Sequence, residues 1–414
     1  MRNGMAKRGI SITLGTIVLI GVVGYGPATL LGPLPAPAVA TLALPTPAAA
    51  VTPPALPTTG ATAVAQTAAV LAHAGDTAAL PISGAARLIT ALVVAQRYPL
   101  PEGPGQDITM TEQNYETYRE RVDAGQSAVS LFPGDVWTQH SVLQAMLRGG
   151  STAHADALAT WAYGSIDGYL KAAQAWAKKE GLTSLVVTDA AGVDTGTQAT
   201  ASDLARITAL AAADPGITAA FTEEPDTLAV QRGLTLPSPY LADTGIRVLY
   251  RGYTDQAGII LLFSQTVTTP AGPFSYASAS LRSATWQTLE TETRALVASA
   301  ESGINSTADL ATGTPLLTIT TDWEQSVRGL SGETPAQPHW GSTAPTLRVE
   351  PGTITVPLAE GTPVGSVTIT DDSQATGDRR IPLIADGALT EPDVLWRLTH
   401  PLPLLKALWE QLIP

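Results

Sequence analysis

The sequence contains no cysteine. That absence excludes disulfides, zinc–thiolate sites, iron–sulfur clusters and a cysteine nucleophile. It is compatible with export but fixes no compartment. Positive charge is scarce as well: 23 Lys and Arg stand against 36 Asp and Glu, a formal net charge of −13. Phosphate backbones are bound by clustered Lys and Arg, so the balance argues against nucleic acid as a partner. Charge of either sign is missing from one long stretch, with no Asp, Glu, Lys or Arg between Arg8 and Asp76. A soluble globular segment of that length is not expected without charges, so the chain is not one cytosolic domain. The chain beyond Gly75 is long enough for one large domain or two ordinary ones.

The uncharged stretch has its own order. Residues 1–8 carry Arg2, Lys7 and Arg8 and no acid, as a cytoplasmic tail would. An apolar run extends from Gly9 to Gly24 and continues more loosely to Leu31. Two readings stay open for residues 9–31. They are a signal anchor, kept as a single-pass transmembrane helix with the bulk of the chain outside, or a signal peptide. Ala38-Val39-Ala40 is a small-residue cleavage candidate, and release near Ala40 would give a secreted protein. It lies far beyond the apolar core, which favours the retained anchor. Residues 32–59 are rich in Pro and Ala and read as an extended stalk. Within it, Leu56-Pro57-Thr58-Thr59-Gly60 spells a sortase pentapeptide, but no apolar stretch and basic tail come after it, so it is a chance match.

From Gly60 onward the patterns alternate. Ala61–Ala74 is light and strand-compatible, while Ala85–Arg97 places Leu88, Leu92 and Ala95 at helical spacing. Helices are expected at Ser141–Arg148, Ala153–Ala162, Ile166–Glu180, Thr200–Ala213 and Leu281–Ala300. Strands are expected at Leu185–Thr188, Gly245–Tyr250 and Ala257–Val267. Beyond Ala300 the segments Thr314–Thr321, Leu347–Val356, Gly365–Thr370 and Ile381–Ile384 are β-branched and separated by turns, with no helix among them. They suggest a small all-β domain over residues 314–414, after a mixed domain over 60–302.

Four passages of the mixed domain carry a resemblance. They are Leu80-Pro-Ile-Ser-Gly-Ala-Ala-Arg-Leu-Ile-Thr-Ala-Leu-Val-Val94, Ala157-Leu-Ala-Thr-Trp-Ala-Tyr-Gly-Ser165, Thr188-Asp-Ala-Ala-Gly-Val-Asp-Thr-Gly-Thr-Gln-Ala-Thr-Ala-Ser-Asp-Leu204, and Gly252-Tyr-Thr-Asp-Gln-Ala-Gly258 before the strand Ile259–Phe263. In this order they resemble the serine D-alanyl-D-alanine carboxypeptidases, the low-molecular-mass penicillin-binding proteins. The resemblance spans roughly residues 60–300 and implies an α/β (α+β) penicillin-binding, serine carboxypeptidase-like domain. A trailing β domain is also a habit of that family. Its chemistry uses a Ser and a Lys three residues later as nucleophile and base, an S-x-N relay, and a K-T-G strand that binds the substrate carboxylate.

All three motifs are altered. Anchored on Leu88-Ile-Thr-Ala-Leu-Val, the nucleophile position is Gly84 and the lysine position Arg87. The second motif falls on Gly150-Ser151-Thr152, and the third on Tyr250-Arg251-Gly252. Glycine cannot form an acyl-enzyme, and a guanidinium stays protonated, so Arg87 cannot act as base. Ser83 and Ser151 are the rescue candidates, each set against a plainer role as the cap of the helix after it. Arg251, Gly252 and Thr254 are the candidate ligand-binding residues. His154, three residues after Ser151, could share a helical face with it, but no acid is placed as a third member.

No metal or cofactor is expected. His73, His140, His154, His339 and His400 show no ligand spacing, and Glu223-Glu224-Pro-Asp226 reads as a solvated loop rather than a cation site. Trp161, Tyr163, Tyr169 and Trp176 fall at helical spacing and are expected in the core.

Three functions are compatible with these features. The chain is a catalytically silent relative that binds a peptidoglycan stem peptide or a cell-wall enzyme, with residues 9–31 in the membrane. Alternatively it is an active serine carboxypeptidase with a shifted nucleophile, or an exported structural protein with an idle cleft. An open groove lined by Arg251, Arg87 and Thr152 would favour binding; a collapsed one would favour the structural role.

Overall fold

A computed structural model describes residues 25–412, apart from 28, 46–52, 101–102, 305–309, 335–337, 341–345 and 371–377. Most of the expected anchor, and the cytoplasmic tail, lie outside the described residues. Among the described residues no helix is long and apolar enough to cross a membrane.

In chain order the strands are Ala38–Thr41 (β1), Ala61–Ala65 (β2), Val70–Gly75 (β3), Leu80–Pro81 (β4), Asp107–Thr109 (β5), Val136–Thr138 (β6) and Gln198–Ala199 (β7). Then come Arg247–Thr254 (β8), Gly258–Thr269 (β9), Gly272–Ser283 (β10), Pro315–Thr320 (β11), Ser326–Ser331 (β12), Thr346–Pro351 (β13), Pro363–Thr370 (β14) and Arg379–Ala385 (β15). A five-stranded sheet runs in the order β3-β2-β10-β9-β8 with antiparallel pairing throughout. Helix Ala201–Ala213 packs on β2 and β10, and helix Trp286–Gly303 lies against β9 and β10.

A helical cluster forms the other half of the mixed domain. Its centre is helix Ala86–Arg97, in which Leu88, Ile89, Leu92, Val93 and Val94 are all buried. Each such side chain contributes about 1.5–3 kcal/mol by leaving water. Helices Gln139–Leu147, Thr152–Tyr163 and Ile166–Lys179 pack around it. The ends are set by local chemistry: Thr138, Ser165 and Thr200 each accept a backbone N–H at a helix start. Tyr169 and Trp176 are buried, and Trp161 and Tyr163 pack against the same core, as their spacing implied.

Several expectations are corrected. Ala61–Ala74 is not one strand but the hairpin β2–β3, and Leu185–Thr188 makes only an isolated bridge from Val186 to Gln198. Leu281 belongs to β10, opposite Ile260 of β9 and Ala61 of β2, not to the next helix. That helix starts only after Thr285, whose hydroxyl accepts the Thr288 N–H. The helix Glu112–Asp123 escaped notice, although Thr111 and Asn114 form a reciprocal capping box at its start.

The trailing domain is not purely β. Its antiparallel sheet, ordered β1-β11-β12-β15-β14-β13, is succeeded by helices Val394–Thr399 and Pro401–Leu412. Its edge strand β1 comes from the expected stalk, pairing Val39 with Ile319. The alternating small and β-branched residues of Ala38–Thr41 fit a pleated edge, which the surrounding prolines concealed. The two helices leave Leu395, Leu402, Trp409 and Leu412 exposed. They are tied to the chain's amino-terminal side, where Tyr25 donates to the Leu398 carbonyl and Arg397 to the carbonyls of Leu30 and Gly32.

Candidate functional site

The three segments expected to hold the altered motifs meet beside one cleft. A 3-10 turn, Ser83–Ala85, leads into helix Ala86–Arg97 and packs against β8. The Gly150-Ser151-Thr152 segment bridges helices Gln139–Leu147 and Thr152–Tyr163, and β8 carries Tyr250-Arg251-Gly252.

At Gly84, the position expected for the nucleophile, the space of a side chain is filled. A Cβ on Gly84 would lie 2.7 Å from both Cζ and Nη1 of Arg87. The guanidinium thus occupies the volume a side chain on residue 84 would need. Its Nη1 donates to the Ala191 carbonyl at 3.3 Å, and its Cζ stands 5.8 Å from the centre of the Tyr250 ring. Burial pushes the Arg87 pKa down from its ordinary value, while nearby Tyr250 and Asp189 pull it upward. Arginine cannot be deprotonated in a protein, so no base results.

The Ala191 carbonyl is held by a braced loop. Asp189 accepts the N–H groups of Val193 and Asp194 and the hydroxyl of Thr197. The preceding Ala190 carbonyl takes a hydrogen bond from Thr90 of helix Ala86–Arg97. Gly192, at φ +75°, presses on the Ser83 carbonyl so closely that a Cβ there would collide with it.

Ser83 is not a helix cap. The helix starts at Ala86, its cap position is Ala85, and no side chain closes it. Instead Ser83 adopts φ +48°, rare for a residue with a side chain, and its Oγ accepts from the Tyr250 hydroxyl at 3.3 Å. Tyr250 also leans along its own strand: a Cβ on Gly252 would come 2.7 Å from the phenol Cζ. The residue at the motif's lysine position therefore covers the glycine two places on and reaches the first motif.

At the second motif, Ser151 holds the cap position without capping. Its Oγ accepts the Val129 N–H at 3.1 Å and bonds His154 Nδ1 at 2.8 Å. The Ser–His contact that the spacing allowed is therefore real, but both residues are fully buried. His154 is driven down to about 3 by burial, with Asp135 opposing, so it stays neutral. Asp135 itself pairs with Arg232 and completes no triad. Thr152 is buried too, donating to the Ser127 carbonyl, and Gly150 alone of the motif borders the cleft.

The cleft is an open cavity of about 620 Å3. Arg87, Arg148, Arg247 and Arg251 line it together with Tyr240 and Tyr250, and among the described residues no Asp or Glu does. Arg251 lies between two rings, its Cζ 4.3 Å from the centres of both Tyr240 and Trp286. Of the other candidate residues, Thr254 accepts the Ala257 N–H in the β8–β9 turn and is spent there. The motif anchors found Arg87 and Arg251. Arg148 and Arg247 were missed because one ends a helix and the other begins a strand, outside every motif.

The remaining polar clusters are structural. Asp226 caps the short helix Thr227–Gln231 and accepts from Ser141, while Glu223 lies 3.5 Å from His140. His400 stacks on Trp396. Among the described residues no group of three His, Cys, Asp or Glu could hold a metal ion.

The D-alanyl-D-alanine carboxypeptidase family model matches residues 49–270. Among solved structures, the D-alanyl-D-alanine carboxypeptidase DacD from Francisella tularensis is similar at 15% identity and a TM-score of 0.56, covering 84% of this chain and 98% of its own. Penicillin binding protein 6B from Escherichia coli is similar at 16% identity and a TM-score of 0.56, covering 82% and 97%. A peptidoglycan synthesis regulatory factor, PBP3, from Streptococcus pneumoniae has 16% identity and a TM-score of 0.55, covering 81% and 99%. No curated protein matches the chain by sequence.

Proposed function

Since the chain belongs to the D-alanyl-D-alanine carboxypeptidase family, we propose that it is a catalytically silent member whose cleft binds rather than cleaves. The observation that carries this reading is the Arg87 guanidinium standing in the side-chain volume of Gly84. An acyl-enzyme needs a nucleophile there and a base beside it, and the same pair of residues removes both. The cleft is open and lined by Arg87 and Arg251, which favours a binding module over a structural protein with an idle groove. Thr152 does not join that lining, because its hydroxyl is turned to Ser127.

The module works at the outer face of the membrane, on a peptidoglycan component or a cell-wall enzyme. Residues 9–31 anchor it. Supporting that placement, Tyr25 and Leu30, at the end of the apolar run, hold the carboxyl-terminal helices with their exposed Leu402 and Trp409.

A second reading keeps activity through Ser83, which retains a hydroxyl at a strained φ beside Tyr250. Labelled penicillin separates the two. The silent reading expects no covalent band on the purified chain; a band that disappears in Ser83→Ala would overturn it.

A further inference from the structure

Four arginines around one cavity are unusual in a chain of net charge −13. Several other arginines hold an Asp or Glu, among them Arg121, Arg232, Arg294 and Arg397, while Arg206 and Arg282 donate to backbone carbonyls and stand apart from one another in the fold. The hydrogen bonds of the cleft's arginines go to neutral groups, although Asp189 lies near enough to act on Arg87 and Glu224 on Arg148. Arg87 donates to the Ala191 carbonyl, Arg148 to the Glu223 carbonyl at 2.7 Å, and Arg247 to the Thr218 hydroxyl at 3.4 Å, while Arg251 rests between rings. Among the described residues none of the four has a carboxylate within ion-pair distance. The Tyr240 hydroxyl in the same lining is buried without a hydrogen-bond partner. Positive charge and an idle polar group thus converge on an open volume.

We infer that the cleft binds a ligand carrying two phosphoryl groups, as in a diphosphate ester. This rests on the silent-cleft reading and names the ligand class of that site. A diphosphate ester with a free outer phosphoryl carries about three negative charges near neutral pH, one on the inner phosphoryl and up to two on the outer, so a single compact group approaches the four guanidinium charges within a cavity of this size. Carboxylates bring one charge each, and four would have to crowd the same space. The planar fork of arginine suits phosphate oxygens bidentately. Leu147, Phe221 and Ile246 supply an apolar wall for the organic part of the ester.

The experiment is calorimetric titration of the full chain with inorganic pyrophosphate, beside orthophosphate and succinate at equal ionic strength. Pyrophosphate is expected to saturate, to bind more tightly than either comparator, and to weaken as salt rises. Arg251→Gln and Arg247→Gln should each weaken it about tenfold or more, the loss of one charge-assisted contact. Arg348→Gln, on the exposed β13, should leave it unchanged; melting curves of each variant exclude misfolding. Succinate binding as tightly as pyrophosphate, equal weakening by Arg348→Gln, or no saturation at all would each overturn the inference. Because penicillin labelling reads the nucleophile and this titration reads the arginines, failure of one is distinguishable from failure of the other.

Discussion

The Arg87 guanidinium and the missing side chain of Gly84 share one volume: a Cβ on residue 84 would lie 2.7 Å from Arg87 Cζ. The residues at these two positions are therefore physically coupled. Restoring the serine alone must push the guanidinium from its place beside Ala191 and Tyr250. Gly84→Ser is expected to cost about 1 kcal/mol, because the guanidinium is the far end of a flexible side chain beside an open cleft and can swing aside at the loss of its hydrogen bond to Ala191. Gly84→Ser with Arg87→Ala should recover part of that loss, because the clash goes with the guanidinium. Urea unfolding of both singles and the double closes the cycle, and strict additivity would show that the volumes do not compete. Neither of the two variants that carry the serine should react with penicillin, since Gly150, Thr152 and Tyr250 remain.

Stability should fall as the solution is acidified, and His154 is the reason. Its pKa in the fold is about 3, against about 6.5 for an ordinary histidine. Between those values the unfolded chain binds a proton that the folded chain does not, so stability is complete above about pH 6.5 and declines as pH drops toward 3. His140, also lowered by burial with Glu223 and Asp226 opposing, adds a smaller slope of the same sign. In His154→Gln the midpoint of urea unfolding should vary less between pH 7 and pH 5 than in the parent chain. An unchanged slope would place the proton uptake elsewhere.

How far the sequence announced this site depends on the residue. Gly84, Arg87 and Tyr250 could be found because flanking passages gave them an anchor. What they do to one another could not, because the filled volume at Gly84 depends on the rotamer of a long side chain. Ser83 looked like a cap because a serine preceded an apolar helix; it instead takes a left-handed φ in a 3-10 turn, with Gly192 packed against its carbonyl, and the helix starts only at Ala86. The net charge of −13 argued against nucleic acid as a partner, and as a global average it gave no sign of a local arginine cluster drawn from distant segments. The closing helices were overlooked although Leu395, Leu398, Leu402 and Leu405 recur every three or four residues.

Arg251 tests whether the cleft's arginines are chosen for shape as well as charge. Its guanidinium lies 4.3 Å from the ring centres of Tyr240 and Trp286. Lysine would keep the charge but cannot stack as a plane between two rings. Arg251→Lys should therefore lower the melting temperature by a few degrees and shift the tryptophan emission, with Trp286→Phe as the control that removes the reporting ring. A spectrum and melting curve identical to the parent would mean that the sandwich is not maintained in solution.

The edge strand β1 bears on how the chain is processed. Cleavage after Ala40 would separate Ala38, Val39 and Ala40 from Thr41 and strip three of the four paired positions from β11. Val39 also packs against the apolar core of that sheet. A chain cut there would expose the β11 edge, with its unpaired backbone groups, to other chains. The chain isolated from cells should therefore retain residues 38–41, which intact-mass measurement and amino-terminal sequencing will read directly. Val39→Asp tests the same contact without cleavage, because a carboxylate at a partly buried core position lacks a partner. It should destabilise the trailing sheet by about 1–3 kcal/mol, the usual cost of an unsatisfied polar group. A native-like unfolding midpoint in Val39→Asp, or a mature terminus at Thr41, would mean that the strand is dispensable and that Ala38–Ala40 serve as a processing signal.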